Sequence, residues 1–244
     1  MPLLKLSIRQ MSRAKPYKEM GKPGYTEEWE KRLQTKIDWK EIWKTKLCYC
    51  NPRDYLTFQK LRHRNLWVAK TNKEGSVKCL WCDEEESMLH LAECTKIKEG
   101  FWDYMLQKMG ECGQNVENTS AFVVLGHQRN LKNKQEIRSW LAIAWRKLYA
   151  NIVRARIENE APNLETARKE TLALLQSRIS AYGQRWRSLY LRKRYQQENE
   201  WEVSNKWNKR SLVVIDRDGK YRIKESLCKI MREELENRVL DNDL

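Results

Sequence analysis

A chain of 244 residues with 48 Lys and Arg against 33 Asp and Glu carries a formal net charge of +15. A compact body so charged attracts polyanions, nucleic acid first among them, and no apolar run approaches the ~20 residues that a membrane-spanning helix needs. Hydrophobic residues make up only 41%, but 11 of the residues are Trp, whose large buried area partly replaces missing Leu and Val, so a thin, Trp-rich core is expected.

In chain order, Lys5, Arg9, Arg13, Lys15 and Lys18 precede the first acid, Glu19. With Leu3, Leu4, Leu6, Ile8 and Met11 among them, this segment reads either as an organelle-targeting sequence or as a basic arm lying on a partner. Gly21-Lys-Pro-Gly24 separates it from a predicted helix over 27–46, N-capped by Thr26, with Trp29, Leu33, Ile37, Trp39 and Trp43 as apolar positions. Pro52 and Asp54 open a second helix through Tyr55, Phe58, Leu61 and Leu66, expected to end near Trp67. A turn is expected over 72–75 and a short strand over 76–80. From Ser87 the helical period returns through Leu89, Leu91, Phe101, Trp102 and Met105, followed by a polar loop over 110–118. Residues 137–157 form a strongly amphipathic helix, stopped by Pro162. Residues 164–205 read as one long helix or two, with Gly183 as the bend. Leu212-Val-Val-Ile215, Asp218-Gly219 and Tyr221-Arg-Ile223 read as a β-hairpin, and Leu227, Ile230, Met231, Leu235 and Val239 mark a last amphipathic helix. The predicted fold is mainly α, with a small zinc-knuckle module and a C-terminal β-hairpin. Its parts are a basic arm (1–24), a metal-binding helical domain (25–160) and a basic long helix with hairpin and final helix (161–244).

The most specific motif is Cys79-x2-Cys82-x7-His90-x3-Cys94. A Cys-x2-Cys turn lets two thiolates converge on one ion, and residues four apart on a helix share a face. Three thiolates and one imidazole fill a tetrahedron, which describes a closed structural Zn2+ site with no position left for water. Seven clustered Cys without an export signal point to an intracellular, thiol-reducing compartment and to metal in place of disulfides; mitochondrial, nuclear and cytoplasmic addresses stay open. Cys48-x-Cys50 reads as core, with a second partial site as the alternative, and Cys112 and Cys228 as structural.

The ligands sit within Glu86-Ser-Met-Leu-His90-Leu-Ala-Glu-Cys94. This resembles the zinc-binding segment found downstream of reverse transcriptase in plant and protist non-LTR (LINE-type) retrotransposons. There a Cys-x2-Cys pair is followed by an acidic residue with Ser or Thr, then His-Leu and a final Cys. Trp39, Trp43, Pro52, Phe58 and Leu66 resemble the lead-in of that family, and Phe101-Trp102 with the apolar stretch 121–126 resembles its continuation. The resemblance covers about 37–157. It departs from the family in lacking an Asp-Asp polymerase motif and any endonuclease or ribonuclease H pattern. What it implies is a domesticated binding segment without polymerase, hence no enzyme.

Positive charge is grouped. Lys60, Arg62, His63, Arg64, Lys70 and Lys73 fall in a stretch without acids; Arg146, Arg154 and Arg156 share the 137–157 helix; Arg185, Arg187, Arg192, Lys193 and Arg194 surround Trp186 and Tyr190. Such residues neutralise phosphates while interleaved aromatics stack on bases. Trp39, Trp43, Trp140, Trp145 and Trp186 are assigned to the core. The functional expectation is a noncatalytic RNA-binding component of a ribonucleoprotein, such as a ribosome, with structured RNA and other proteins of the particle as partners. A protein acting in retrotransposition and a protein-interaction scaffold are the alternatives.

Overall fold

The computed structural model describes residues 24–44, 46–66, 68, 78–131 and 133–194 and two short strands, with side chains described through Tyr182. The chain divides into two compact units, Met1–Trp39 and Lys40–Leu244. The boundary expected at 160/161 therefore falls inside the second unit, whose two long helices pack on each other across it. The described part is mainly helical, and none of its helices is long and apolar enough to cross a membrane.

In the first unit, helix α1 (Gly24–Leu33) buries Trp29. The single helix expected over 27–46 is instead broken: Gln34 adopts a left-handed φ of 48°. The break is held by Glu30, whose carboxylate accepts from the Trp39 indole at 2.8 Å and from the Ile37 amide at 3.4 Å. A side chain thereby takes over the bonding that a continuing helix would have supplied. Helix α2 (Trp39–Lys44) starts at the last residue of this unit and otherwise belongs to the second.

The second unit is built around α8 (Lys134–Glu158), an amphipathic helix close to its expected bounds. Ile137, Trp140, Leu141, Ala144, Trp145, Leu148 and Ile152 are buried along it. Helix α3 (Pro52–Arg62) packs on α8. It starts with a reciprocal capping box: the Asp54 amide donates to Asn51 Oδ1 at 2.8 Å, and the Asn51 amide donates to Asp54 Oδ2 at 2.9 Å. It ends at Arg62, earlier than expected, where Arg64 turns left-handed.

Helices α4 (His90–Glu93) and α5 (Thr95–Ile97), a wide π-turn (Lys98–Trp102) and α6 (Asp103–Glu111) follow in close succession. The π-turn brings Gly100 so close to Leu164 that a Cβ there would lie 2.6 Å from Leu164 Cδ1. The apolar stretch 121–126, to which no element was assigned from sequence, is a buried helix, α7 (Ser120–Leu125). Thr119 caps it, accepting from the Phe122 amide at 3.1 Å, and Gly126 ends it at φ 64°.

Helix α9 (Leu164–Arg194) is one continuous helix through Gly183, the first of the two alternatives. Strands β1 (Val213–Ile215) and β2 (Tyr221–Ile223) pair antiparallel with Val214 opposite Arg222, next to α9. The Asp218-Gly219 turn, the helix expected after Leu227, Cys228 and the basic arm lie outside the described residues.

Two indoles join the helices into one core. Trp102 Nε1 donates to Leu91 O at 3.0 Å and Trp145 Nε1 to Val123 O at 2.7 Å, and the two rings lie 4.9 Å apart. Each buried N–H thus has an acceptor, which removes the main cost of burying Trp. Trp43, assigned to the core, is only half-buried and lies 4.9 Å from the His63 ring.

Candidate metal centre

Cys79, Cys82, His90 and Cys94 converge, with their four ligand atoms within 4.8 Å of one another. Local bonding explains the convergence. Lys78 and Glu85 form an isolated antiparallel bridge, and the Cys79 amide donates to Glu84 O at 2.9 Å. This folds the Cys-x2-Cys loop into a knuckle, in which the Trp81 amide points at Cys79 Sγ at 3.5 Å. Ser87 Oγ accepts from the His90 amide at 3.0 Å and starts the turn that carries the imidazole. Cys94 then leaves helical geometry at φ −51°, ψ 120°, ending α4.

The distances test the fit to an ion. A tetrahedral ion bound at about 2.3 Å to sulfur and about 2.0 Å to nitrogen sets sulfurs about 3.8 Å apart and sulfur about 3.5 Å from nitrogen. Here Cys79 Sγ lies 3.9 Å from Cys94 Sγ, Cys82 Sγ 3.8 Å from Cys94 Sγ, and Cys82 Sγ 3.3 Å from His90 Nε2. A disulfide needs about 2.05 Å between sulfurs, so these are separate thiols arranged around a point. Burial is the largest influence on Cys79 and Cys94 and pushes both thiols up, Cys79 to about 12. Thiols that resist ionisation, as those of Cys79 and Cys94 do, make poor nucleophiles. A bound cation favours their thiolate forms, which is what a metal centre supplies.

His90 presents Nε2 to the sulfurs, and its Nδ1 lies 3.3 Å from Glu84 Oε2. A carboxylate on the far nitrogen fixes ring orientation and raises ligand basicity. Glu84→Ala should weaken metal retention by about tenfold, the low end of such effects, because Glu84 is 79% exposed. Competition with a graded chelator checks this, and an unchanged competition curve would show that Glu84 is a bystander. Helix α4 begins at His90, and Glu84, Glu85 and Glu86 lie in the loop before it. Glu86 is fully buried and its Oε2 lies 2.5 Å from Arg156 Nη2, tying the metal loop to α8. A run of three Glu gave no sign of which one turns inward. Among the described residues Cys48 and Cys50 stand outside the metal-type cluster. Cys50 Sγ meets Ser139 O at 3.5 Å and burial raises both thiols, but both side chains are half-buried and not fully in the core.

The cations assigned to nucleic acid divide sharply. Arg62 is corrected: it is 1% exposed, stacked 4.1 Å over Phe58, and donates to Ile42 O and Leu125 O at 3.5 and 3.4 Å. No phosphate reaches it, because α2 and α7 close over its guanidinium. Arg146 is tied to the buried Asp54 at 2.7 Å and Arg156 to Glu86, which leaves them 25% and 17% exposed. Arg154 is half exposed, 3.9 Å from Glu170. Lys60 is exposed and Arg64 half-buried. Lys70 and the side chains of Arg185, Arg187, Arg192, Lys193 and Arg194 lie outside the described residues, although α9 carries the backbone of the last five. Where side chains are described, 24 Lys and Arg face 20 Asp and Glu. Most of the +15 therefore resides elsewhere, with six cations and one acid in residues 1–23.

No family model matches the chain, and no curated protein or solved structure matches it either.

Proposed function

We propose that the chain is a noncatalytic zinc protein that binds structured RNA as a component of a ribonucleoprotein such as a ribosome. The observation that carries this is the closed Cys79, Cys82, His90 and Cys94 cluster: four protein ligands saturate a tetrahedral ion and leave no place for a reacting water. Three thiolates favour zinc over the hard, oxygen-seeking cations. RNA enters through charge. The metal loop carries Asp83, Glu84 and Glu85 and is a poor phosphate contact, whereas residues 1–23, Lys60, Lys70 and the 185–194 stretch hold uncompensated cations in sequence. The zinc fixes the fold and the basic segments grip the polyanion. The motif's resemblance to the LINE-type zinc segment supports a retrotransposon-derived lineage without polymerase.

The test is titration of the purified full chain with a structured RNA at several salt concentrations. Binding should fall steeply as salt rises, by counterion release. Affinity indifferent to salt, or no complex at ~50 mM salt, would remove RNA from the proposal. Crosslinking in cells followed by sequencing of the bound nucleic acid separates a ribosomal RNA from a transposon transcript.

A further inference from the structure

Helix α8 carries a second stripe, turned away from the core. Tyr149, Ala150, Val153 and Ile157 follow one another at helical spacing and, with Leu56 of α3, floor a cleft of about 510 Å3. Leu56 is 54% exposed and Ile157 79%, two of the four large apolar side chains left exposed among the described residues. Apolar surface gathered in one cleft and rimmed by charge marks an interaction site better than scattered exposed residues do. From 149 to 157 the stripe runs about 12 Å along the helix, a little over two turns, which is the length over which a second helix seats anchors at i, i+3, i+4 and i+7.

The rim identifies the occupant. Arg53 and Arg154 line it as cations, Arg146 being paired with Asp54, and Glu158 is the acid among the lining residues. Arg53 ends in no ion pair among the described residues, and Arg154 makes only the long 3.9 Å contact to Glu170. We infer that this cleft docks an amphipathic helix of a partner protein whose apolar stripe is flanked by carboxylates. The alternatives fit the chemistry less well. Nucleic-acid bases seek aromatic or guanidinium faces, and this floor is mostly aliphatic with Tyr149 as its one ring. A second copy placed by two-fold symmetry would set the same arginines against each other. The inference stands apart from RNA binding and survives if that fails.

The metal-loaded full chain can be titrated, by fluorescence anisotropy, with a synthetic helical peptide of about 16 residues bearing a Leu stripe flanked by Glu, and with the same peptide flanked by Lys. Saturable binding of the Glu peptide is expected, weaker by at least about tenfold for the Lys peptide. Leu56→Asp and Ile157→Asp, both at exposed positions that folding tolerates, should abolish it. Arg53→Glu should weaken the Glu peptide and strengthen the Lys peptide, a reversal that mere loss of structure cannot produce. Equal binding of the two peptides, undiminished binding by Ile157→Asp, or no saturation at millimolar peptide would overturn the inference. So would protection of the cleft by structured RNA, or self-association that Ile157→Asp abolishes.

Discussion

Replacing Cys94 with Ser in the full chain should release the metal and melt the segment from Cys79 through Ile97. Cys94 is 4% exposed and lies within 3.9 Å of both other sulfurs, and its backbone makes the sharp turn between α4 and α5. Structural zinc contributes about 10 kcal/mol or more of apparent binding free energy to folding, more than most small domains hold in reserve. Elemental analysis should therefore find no zinc, and hydrogen exchange should show lost protection over the loop. Loss of protection should extend to Trp102, because its indole donates to Leu91 O. Cys112→Ser is the control: Cys112 is also 4% exposed but lies outside the cluster, so its variant should keep the metal whatever it loses in packing. Acid should act in the same direction as the mutation. Metal displaces thiol protons, and burial has already raised the metal-free thiols of Cys79 and Cys94. Lowering pH therefore favours the protonated, metal-free form, by up to about one decade of affinity per pH unit for each thiol that must ionise. A Cys94→Ser chain with full zinc and an unchanged melting curve would sink the metal centre.

Neutralising Arg185, Arg187, Arg192, Lys193 and Arg194 together should cost about three orders of magnitude in RNA affinity near 0.15 M salt, if all five rest on phosphates. The salt slope is the sharper readout. Each phosphate contact removed lowers it by about 0.7 to 0.9, so five give a reduction of about 4. Arg62→Met provides the contrast. Its guanidinium is stacked on Phe58 and bonded to two carbonyls in the core, so this change should lower stability and leave the slope alone. A slope unmoved by the five-residue variant would place RNA contact elsewhere, with the arm of residues 1–23 next in line.

How much of this was legible in advance follows from the range of each interaction. The convergence of Cys79, Cys82, His90 and Cys94 was, because a Cys-x2-Cys knuckle and a His-x3-Cys turn depend on contacts within sixteen residues, and spacing alone determines which side chains meet. The α8 helix was too, since its apolar period is long and regular. The break at Gln34 was not. It depends on Glu30 choosing the Trp39 indole and the Ile37 amide over solvent, a side-chain bond that composition does not announce. Helix α7 was missed because five consecutive apolar residues carry no period and their cap, Thr119, is a single hydroxyl.

By itself, then, the chain determined its helical character, its surplus of positive charge and the four residues that can close around an ion. Only the tertiary structure decided which charges remain available for a partner. Arg62, Arg146 and Arg156 look the same as Lys60 in sequence, yet the first is stacked in the core and the other two meet buried carboxylates from distant segments, Asp54 and Glu86. The reason is physical: a buried carboxylate cannot stay unpaired, so packing commits an arginine to it. Such a pairing spans 92 residues between Asp54 and Arg146, and no local pattern records it.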